Sequence, residues 1–287
     1  MKTKITVIAL CISALVAGCS KSKKIQPAEI QLEVQVKTDA KLGQILIDKD
    51  GRTLYYFAND ANGTSTCTGG CEAVWPAFMV ADLTAAKIAT SLNIADFKAI
   101  SQVNGKQQIT FKGHPLYYYS PKVNNVNTPE VAGATTGEGV NKVWFVAKPD
   151  YTVMLTNAQL IGKDGKSYLA DYTEGTGKTL YFTDANGLAI YTFKNDKKNK
   201  NNFTDAAFVK NTIWPIYEQD KIVVPSILDK ALFGSITVHG KKQLTYKGWP
   251  LYYFGEDNKV MGSNKGVSVP SPGTWPIAVQ DLAAAAD

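Results

Sequence analysis

The sequence predicts a mainly β protein of two homologous units, each a small antiparallel sheet with short helices and long loops. Three observations lead there. The chain reads itself twice at an offset of about 135 residues, far beyond the roughly 20–50 residues of solenoid repeats, so a duplicated domain is expected and not a stacked array. Apolar residues inside each copy alternate with strand period. Turn formers and rings are abundant, with 23 Gly, 12 Pro and 14 Tyr in 287 residues, which favours short strands and tight turns. A composition of 45% hydrophobic and 20% charged residues supports a real core and excludes a wholly disordered chain.

The first element reads as an export signal. Met1–Lys4 carries two lysines and no acid, and Ile5–Val16 is an apolar run of twelve broken by Thr6, Cys11 and Ser13. That run is shorter than the roughly 18–20 residues a helix needs to cross a bilayer. Val16-Ala17-Gly18-Cys19 resembles a bacterial lipobox, which implies cleavage before Cys19 and lipidation of that residue, palmitate included. Several acyl chains anchor stably because each buried methylene contributes about 0.8 kcal/mol. Ser20 stands where many inner-membrane lipoproteins carry Asp, so the resemblance implies an outer-membrane anchor. Residues 1–18 are then signal peptide and 19–37 a lipidated polar tether, whose Lys21, Lys23 and Lys24 suit either anionic headgroups or plain solvation. Loss of Lys2 and Lys4 lowers the formal charge from +6 to +4. That is too mild a surplus to argue for nucleic acid, and no recognition helix or zinc-finger spacing accompanies it.

The repeats follow, at residues 38–150 and 151–287. Asp48–Asp60 aligns with Asp184–Asp196, Trp75-Pro76 with Trp214-Pro215, and Gly105–Tyr118 with Gly240–Tyr253, while Trp144 and Trp275 close the two units. In the first, Gln44–Ile47 leads into Asp50-Gly51, a hairpin signal, with Leu54–Phe57 expected back as the partner strand. Val103-Asn104-Gly105 and Lys112-Gly113 punctuate further strand pairs. Asp82–Phe97, with apolar Leu83, Ile88, Leu92 and Ile94, predicts a short helix, and Ser226–Phe233 its counterpart. At the junction Gln159–Gly165 predicts a hairpin, and Lys194–Asn202 an exposed loop.

Tyr55-Tyr56-Phe57-Ala58-Asn59-Asp60 and Tyr191-Thr192-Phe193-Lys194-Asn195-Asp196 share the pattern Tyr-x-(Phe/Trp/Tyr)-x-x-Asp. With the Trp-Pro and Gly-x-Pro-Leu-Tyr-Tyr segments, and behind a lipobox, the chain resembles the bacterial lipoproteins called secreted repeats of unknown function. The resemblance implies an address and an architecture, and no mechanism. On a strand Tyr55 and Phe57 face one side and Tyr56 the other, so the first and third positions should enter a common core. Asp60 and Asp196 then sit where the strands end, placed to accept backbone N–H groups through Ala61-Asn62-Gly63 and Lys197-Lys198-Asn199. The functional rival is an aromatic surface with acid at its rim, able to stack on envelope glycans. Trp75 and Trp214 belong to the same repeated set.

Cys11 leaves with the signal and Cys19 is lipidated, so Cys67 and Cys71 are the pair in the exported body. An oxidising compartment and the flexible Thr68-Gly69-Gly70 between them predict a disulfide. Ala206 and Lys210 occupy the corresponding places in the second repeat, so the staple is not essential to the architecture. A reduced Cys-x3-Cys pair is alternatively a Cu(I) site, with Met79 and His114 as further candidate ligands. His114 aligns with Trp249 and His239 with Asn104, which argues for structural use of both, and no local pattern supplies a catalytic nucleophile with its base. The sequence therefore predicts a lipid-anchored envelope module without catalytic residues or cofactor, binding envelope glycan or protein or serving as scaffold. A copper or thiol-redox protein and a glycan-processing enzyme are the alternatives.

Overall fold

The computed structural model describes residues 31–101 and 105–287. Residues 31–287 form one compact unit. The signal peptide, Cys19 and most of the tether lie outside the described residues, as does the Val103-Asn104 turn.

In the first repeat β1 (Val34–Asp39) pairs antiparallel with β2 (Gly43–Asp48). Residues 34–37, read from sequence as the end of the tether, are thus already strand. The next strands are β3 (Tyr55–Phe57), β4 (Phe97–Ser101), β5 (Gln107–Phe111) and β6 (His114–Tyr117), then the small hairpin of β7 (Lys122–Val123) and β8 (Val126–Asn127), and β9 (Trp144–Val146). Five of them form one sheet in the order β4-β5-β6-β3-β9.

The Asp50-Gly51 turn forms as expected, but its partner strand differs. Asp48 Oδ1 accepts the Asp50 and Arg52 N–H groups at 2.9 and 2.8 Å, and Gly51 takes φ +80°. Leu54 N–H still donates to the Leu46 carbonyl, after which β3 leaves β2 and inserts between β6 and β9. All three β3 side chains are buried, and a strand covered on both faces belongs inside a sheet, where a hairpin edge would leave it wet.

The second repeat holds β10 (Met154–Ile161), β11 (Ser167–Tyr168), β12 (Lys178–Thr183), β13 (Phe233–Val238), β14 (Lys241–Tyr246) and β15 (Trp249–Pro250). Their sheets run β11-β10-β12 and β13-β14-β15. The hairpin expected at 159–165 is present, with Ile161 opposite Ser167 and Gly165 at φ +78°. The copies agree in register. Tyr55 lies opposite Tyr117 and Val146, and Tyr191 bridges Tyr252 and Ile277.

The predicted helices do not form. Ala85–Lys87, Ile94–Asp96 and Lys230–Leu232 are single 3-10 turns, and Gly70–Val74 is the one α-helix among the described residues. Asn93 and Asp229 accept the N–H groups of Ala95 and Ala231, local bonds that compete with helix propagation. The apolar residues of 82–97 instead pack as an irregular strap, Ile88 bridging to Val34 in a cluster with Leu83, Leu92 and Ile94.

One core is shared by both halves. Tyr56 and Phe145 of the first repeat pack with Leu155, Phe182, Ile190 and Tyr246 of the second. Hydrogen bonds cross there too, from Asn157 N–H to the Ala58 carbonyl at 2.8 Å and from Leu155 N–H to the Tyr56 side-chain hydroxyl at 3.3 Å.

Candidate functional site: the tyrosine–carboxylate clasps

Strand alternation sorts the motif as the sequence suggested. Tyr55 and Phe57 enter a cluster with Trp75, Tyr117 and Trp144, and Tyr56 turns into the shared core. The rings form a sandwich: Trp75 stacks on Trp144 at 3.8 Å, Phe57 covers Trp144 at 3.9 Å, and Tyr55 meets Trp75 edge-on at 5.5 Å. The second repeat builds the same object. There Trp214 stacks on Trp275 at 3.7 Å, Phe193 on Trp275 at 4.3 Å, and Tyr191 meets Trp214 edge-on at 5.5 Å.

The acids close these clusters in a way the sequence reading did not anticipate. Asp60 Oδ2 accepts the Tyr117 hydroxyl at 2.5 Å, while its Oδ1 accepts both the N–H and the hydroxyl of Thr66 at 2.7 Å. Asp196 does the same for the Tyr252 hydroxyl at 2.6 Å and the Asn202 N–H at 2.7 Å. The carboxylates thus reach six residues onward, beyond the immediate turns expected of them. The bonding is reciprocal. Tyr55 donates to Glu130 at 2.7 Å and Tyr191 to Asp257 at 2.6 Å. In each half, two paired segments, strands in the first repeat and bridged extended chain in the second, each offer a tyrosine to the acid that follows the other.

The partners Tyr117, Tyr252, Glu130 and Asp257 were missed as site residues, although one signal was readable. Tyr252-Tyr253-Phe254-Gly255-Glu256-Asp257 fits the six-residue pattern itself. Tyr117-Tyr118-Tyr119-Ser120-Pro121-Lys122 keeps the rings but has lysine at the acid position. Its acid comes from Glu130, which also accepts the Thr136 N–H. The unit therefore occurs four times. A second tier repeats as well, from Tyr118 to Asp48 at 2.8 Å and from Tyr253 to Asp184 at 2.9 Å.

Burial pushes the Asp60 and Asp196 carboxyls up to about 6, against the pull of their tyrosine and backbone donors. Asp257 is raised for the same reason. Burial and the adjoining carboxylate hold the Tyr55, Tyr117, Tyr191 and Tyr252 hydroxyls far above the ordinary phenol range. The proton of each clasp stays on the ring. Each carboxylate is thus held by hydrogen bonds from within the fold.

Cys67 and Cys71 are joined as a disulfide with a Cα–Cα distance of 5.2 Å, and Cys67 is buried in the Trp75–Trp144 cluster. The other candidate copper ligands are dispersed. Met79 is exposed, and His114 is buried with its ring 5.5 Å from Tyr56, on the shared-core side of the sheet. Burial lowers His114 to about 4, and its Nε2 has no hydrogen-bond partner. Among the described residues no group of three or more His, Cys, Asp and Glu side chains could hold a metal ion. Nor do the second-position rings form an open aromatic strip in the first repeat. Tyr56 is fully covered, and the Arg52 guanidinium lies 3.6 Å over the Tyr118 ring. Tyr253, the counterpart of Tyr118, borders a pocket of about 510 Å³ in which Leu188 stands in the place of Arg52.

Fold and site together define a class: mainly β proteins assembled from a short ring-and-acid unit whose copies clasp one another in pairs. Two segments of the chain, residues 37–79 and 236–278, match the family described as a secreted repeat of unknown function. These segments are not equivalent halves of the duplication. The first runs from the leading motif of repeat one through Trp75-Pro76, and the second from the trailing motif of repeat two through Trp275-Pro276. Each matched segment thus holds one of the ring motifs together with a Trp-Pro pair. No curated protein and no solved structure matches the chain.

Proposed function

We propose that this chain is a lipid-anchored lipoprotein of the cell envelope, held at the outer membrane through Cys19, whose clasped repeats form a non-enzymatic binding or structural module. The observation that supports the reading is the inward commitment of the motif acids. Asp60, Asp196 and Asp257 each bond a tyrosine hydroxyl and a backbone N–H within the fold. A general acid or base needs reach to a substrate proton, and these carboxylates are spent on cohesion. A secreted-repeat family agrees with export of the chain. The anchor is tested by metabolic labelling with radioactive palmitate in a bacterial host. Label should enter the wild type and be absent from Cys19→Ser, which should also leave the membrane fraction. The module is tested by incubation with envelope glycan. Retention without release of reducing sugar supports binding, neither retention nor release supports scaffold, and catalytic release overturns the non-enzymatic role.

A further inference from the structure

Lys148 follows Ala147, and Ala147 has a strict counterpart in the other repeat. The Ala147 N–H donates to Leu54 and its carbonyl accepts from Leu46; the Ala278 N–H donates to Ile190 and its carbonyl accepts from Phe182. The residue after Ala278 is Val279. The repeat therefore tolerates an apolar side chain at this place, and its backbone pattern does not ask for a lysine. Lys148 is nevertheless only 6% exposed. Its Nζ donates to the Val224 carbonyl at 3.3 Å and lies 5.1 Å from the centre of the Tyr151 ring.

An ammonium withdrawn from water is costly unless a carboxylate compensates it. Among the described residues none forms an ion pair with Lys148, although Glu138, Asp150 and Asp39 act on it from beyond contact distance. Asp150 Oδ2 pairs with Lys221 at 2.6 Å, while its buried Oδ1 has no hydrogen-bond partner and makes no ion pair with Lys148. Glu138 accepts the Val146 and Ser226 N–H groups at 2.6 and 3.1 Å, and Asp39 Oδ1 accepts those of Lys41 and Leu42 at 2.8 Å. A lysine ammonium has three donors, and one carbonyl uses one of them. Burial accordingly lowers the proton affinity of Lys148.

The side chain lines a cleft of about 530 Å³ between segments 41–44 and 222–230. Lys41, Lys230 and one acid, Asp150, stand on the same cleft, so its lysines outnumber its carboxylate, and Ile222, Val223 and Leu228 form its apolar wall. We propose that this cleft binds a small amphiphilic anion, its carboxylate or phosphate group bonded to the Lys148 ammonium and its apolar part lying against Ile222, Val223 and Leu228. Such a ligand brings a charged acceptor into contact with the ammonium and covers the apolar wall at the same time. Lys41 and Lys230 add a salt-sensitive attraction at the mouth. The site shares no side chain with the clasps, and it stands whether or not Cys19 is acylated.

Isothermal titration of the full chain with sodium decanoate and with decyl phosphate, both kept below self-association, tests the site, with decyltrimethylammonium as cationic control. At least one anion should bind saturably at one per chain and the cation should not. Lys148→Met should weaken anion binding tenfold or more while melting at or above the wild-type temperature. A tighter decanoate assigns a carboxylate ligand, and a tighter decyl phosphate a phosphate. Equal binding of the cation, absence of saturable anion binding, or unchanged affinity in Lys148→Met overturns the proposal. So does a lowered melting temperature in Lys148→Met, which would show that the ammonium serves the fold.

Discussion

The Tyr117 hydroxyl and the Asp60 carboxylate, 57 residues apart in sequence, meet at 2.5 Å inside the first repeat. The same bond recurs between Tyr252 and Asp196 at 2.6 Å, 56 residues apart. Each ties the end of one motif segment to the ring of the next, so it closes a long loop and satisfies a buried acid at once.

Removing that acid should be expensive, because it orphans a buried phenol and the Thr66 N–H together. Asp60→Ala is expected to lose about 3 kcal/mol of unfolding free energy, and Asp60→Asn, which keeps the acceptor shape, about 1–2 kcal/mol. Asp196→Ala should match the former. Urea titrations measure all three, and a loss under about 0.5 kcal/mol in Asp60→Ala would contradict a cohesive role.

Acidification sets two groups of residues against each other. Asp60 and Asp196, raised to about 6 from 3.8, contribute stability that is complete below the unfolded value and is lost as pH rises through about 6. His114, lowered to about 4 from 6.5, contributes stability present above 6.5 and lost as pH falls toward 4. Between pH 7 and 5 the effects partly cancel in the wild type. His114→Phe removes the opposing one, so its gain in stability over that interval should exceed the wild-type gain by about 2 kcal/mol. Denaturant titrations at the two pH values give the comparison, and identical profiles would show that His114 does not titrate as its burial demands.

Two glycines should fail together. A Cβ at Gly137 would lie 2.9 Å from the Trp75 and Tyr55 rings, and one at Gly266 2.8 Å from Trp214 and Tyr191. Those rings are fixed by the stacked tryptophans and cannot retreat. Gly137→Ala and Gly266→Ala are each expected to cost about 1–3 kcal/mol, read as a fall in the urea midpoint. If only one did so, the two clasps would not be mechanically equivalent.

The disulfide is a local staple, closing a sequence separation of 4. Replacing both Cys67 and Cys71 with Ala should cost about 2 kcal/mol by loop entropy. The near-ultraviolet tryptophan signal of the folded state should persist, since the second repeat stacks its tryptophans without such a bridge. Collapse of that signal would make the staple a condition of folding.

The strand period of Tyr55-Tyr56-Phe57, the glycine turns and the recurrence of Trp-Pro are local or periodic properties, and the sequence alone was enough to read a duplicated, mainly β chain with its rings turned inward. It also marked Asp60 and Asp196 as structural acids. Their partners were hidden because hydrogen bonding between strands depends on register: nothing near Asp60 in sequence indicates Tyr117, and the displaced Glu130 breaks the written motif. The same limit explains the strap at 82–97, where helical spacing lost to packing on a sheet edge and to the Asn93 cap. It explains the shared core as well. Sequence similarity announces two copies, but only the folded chain decides that Tyr56 of one packs with Phe182 of the other, because burial is a property of surfaces brought together and not of the segments that carry them.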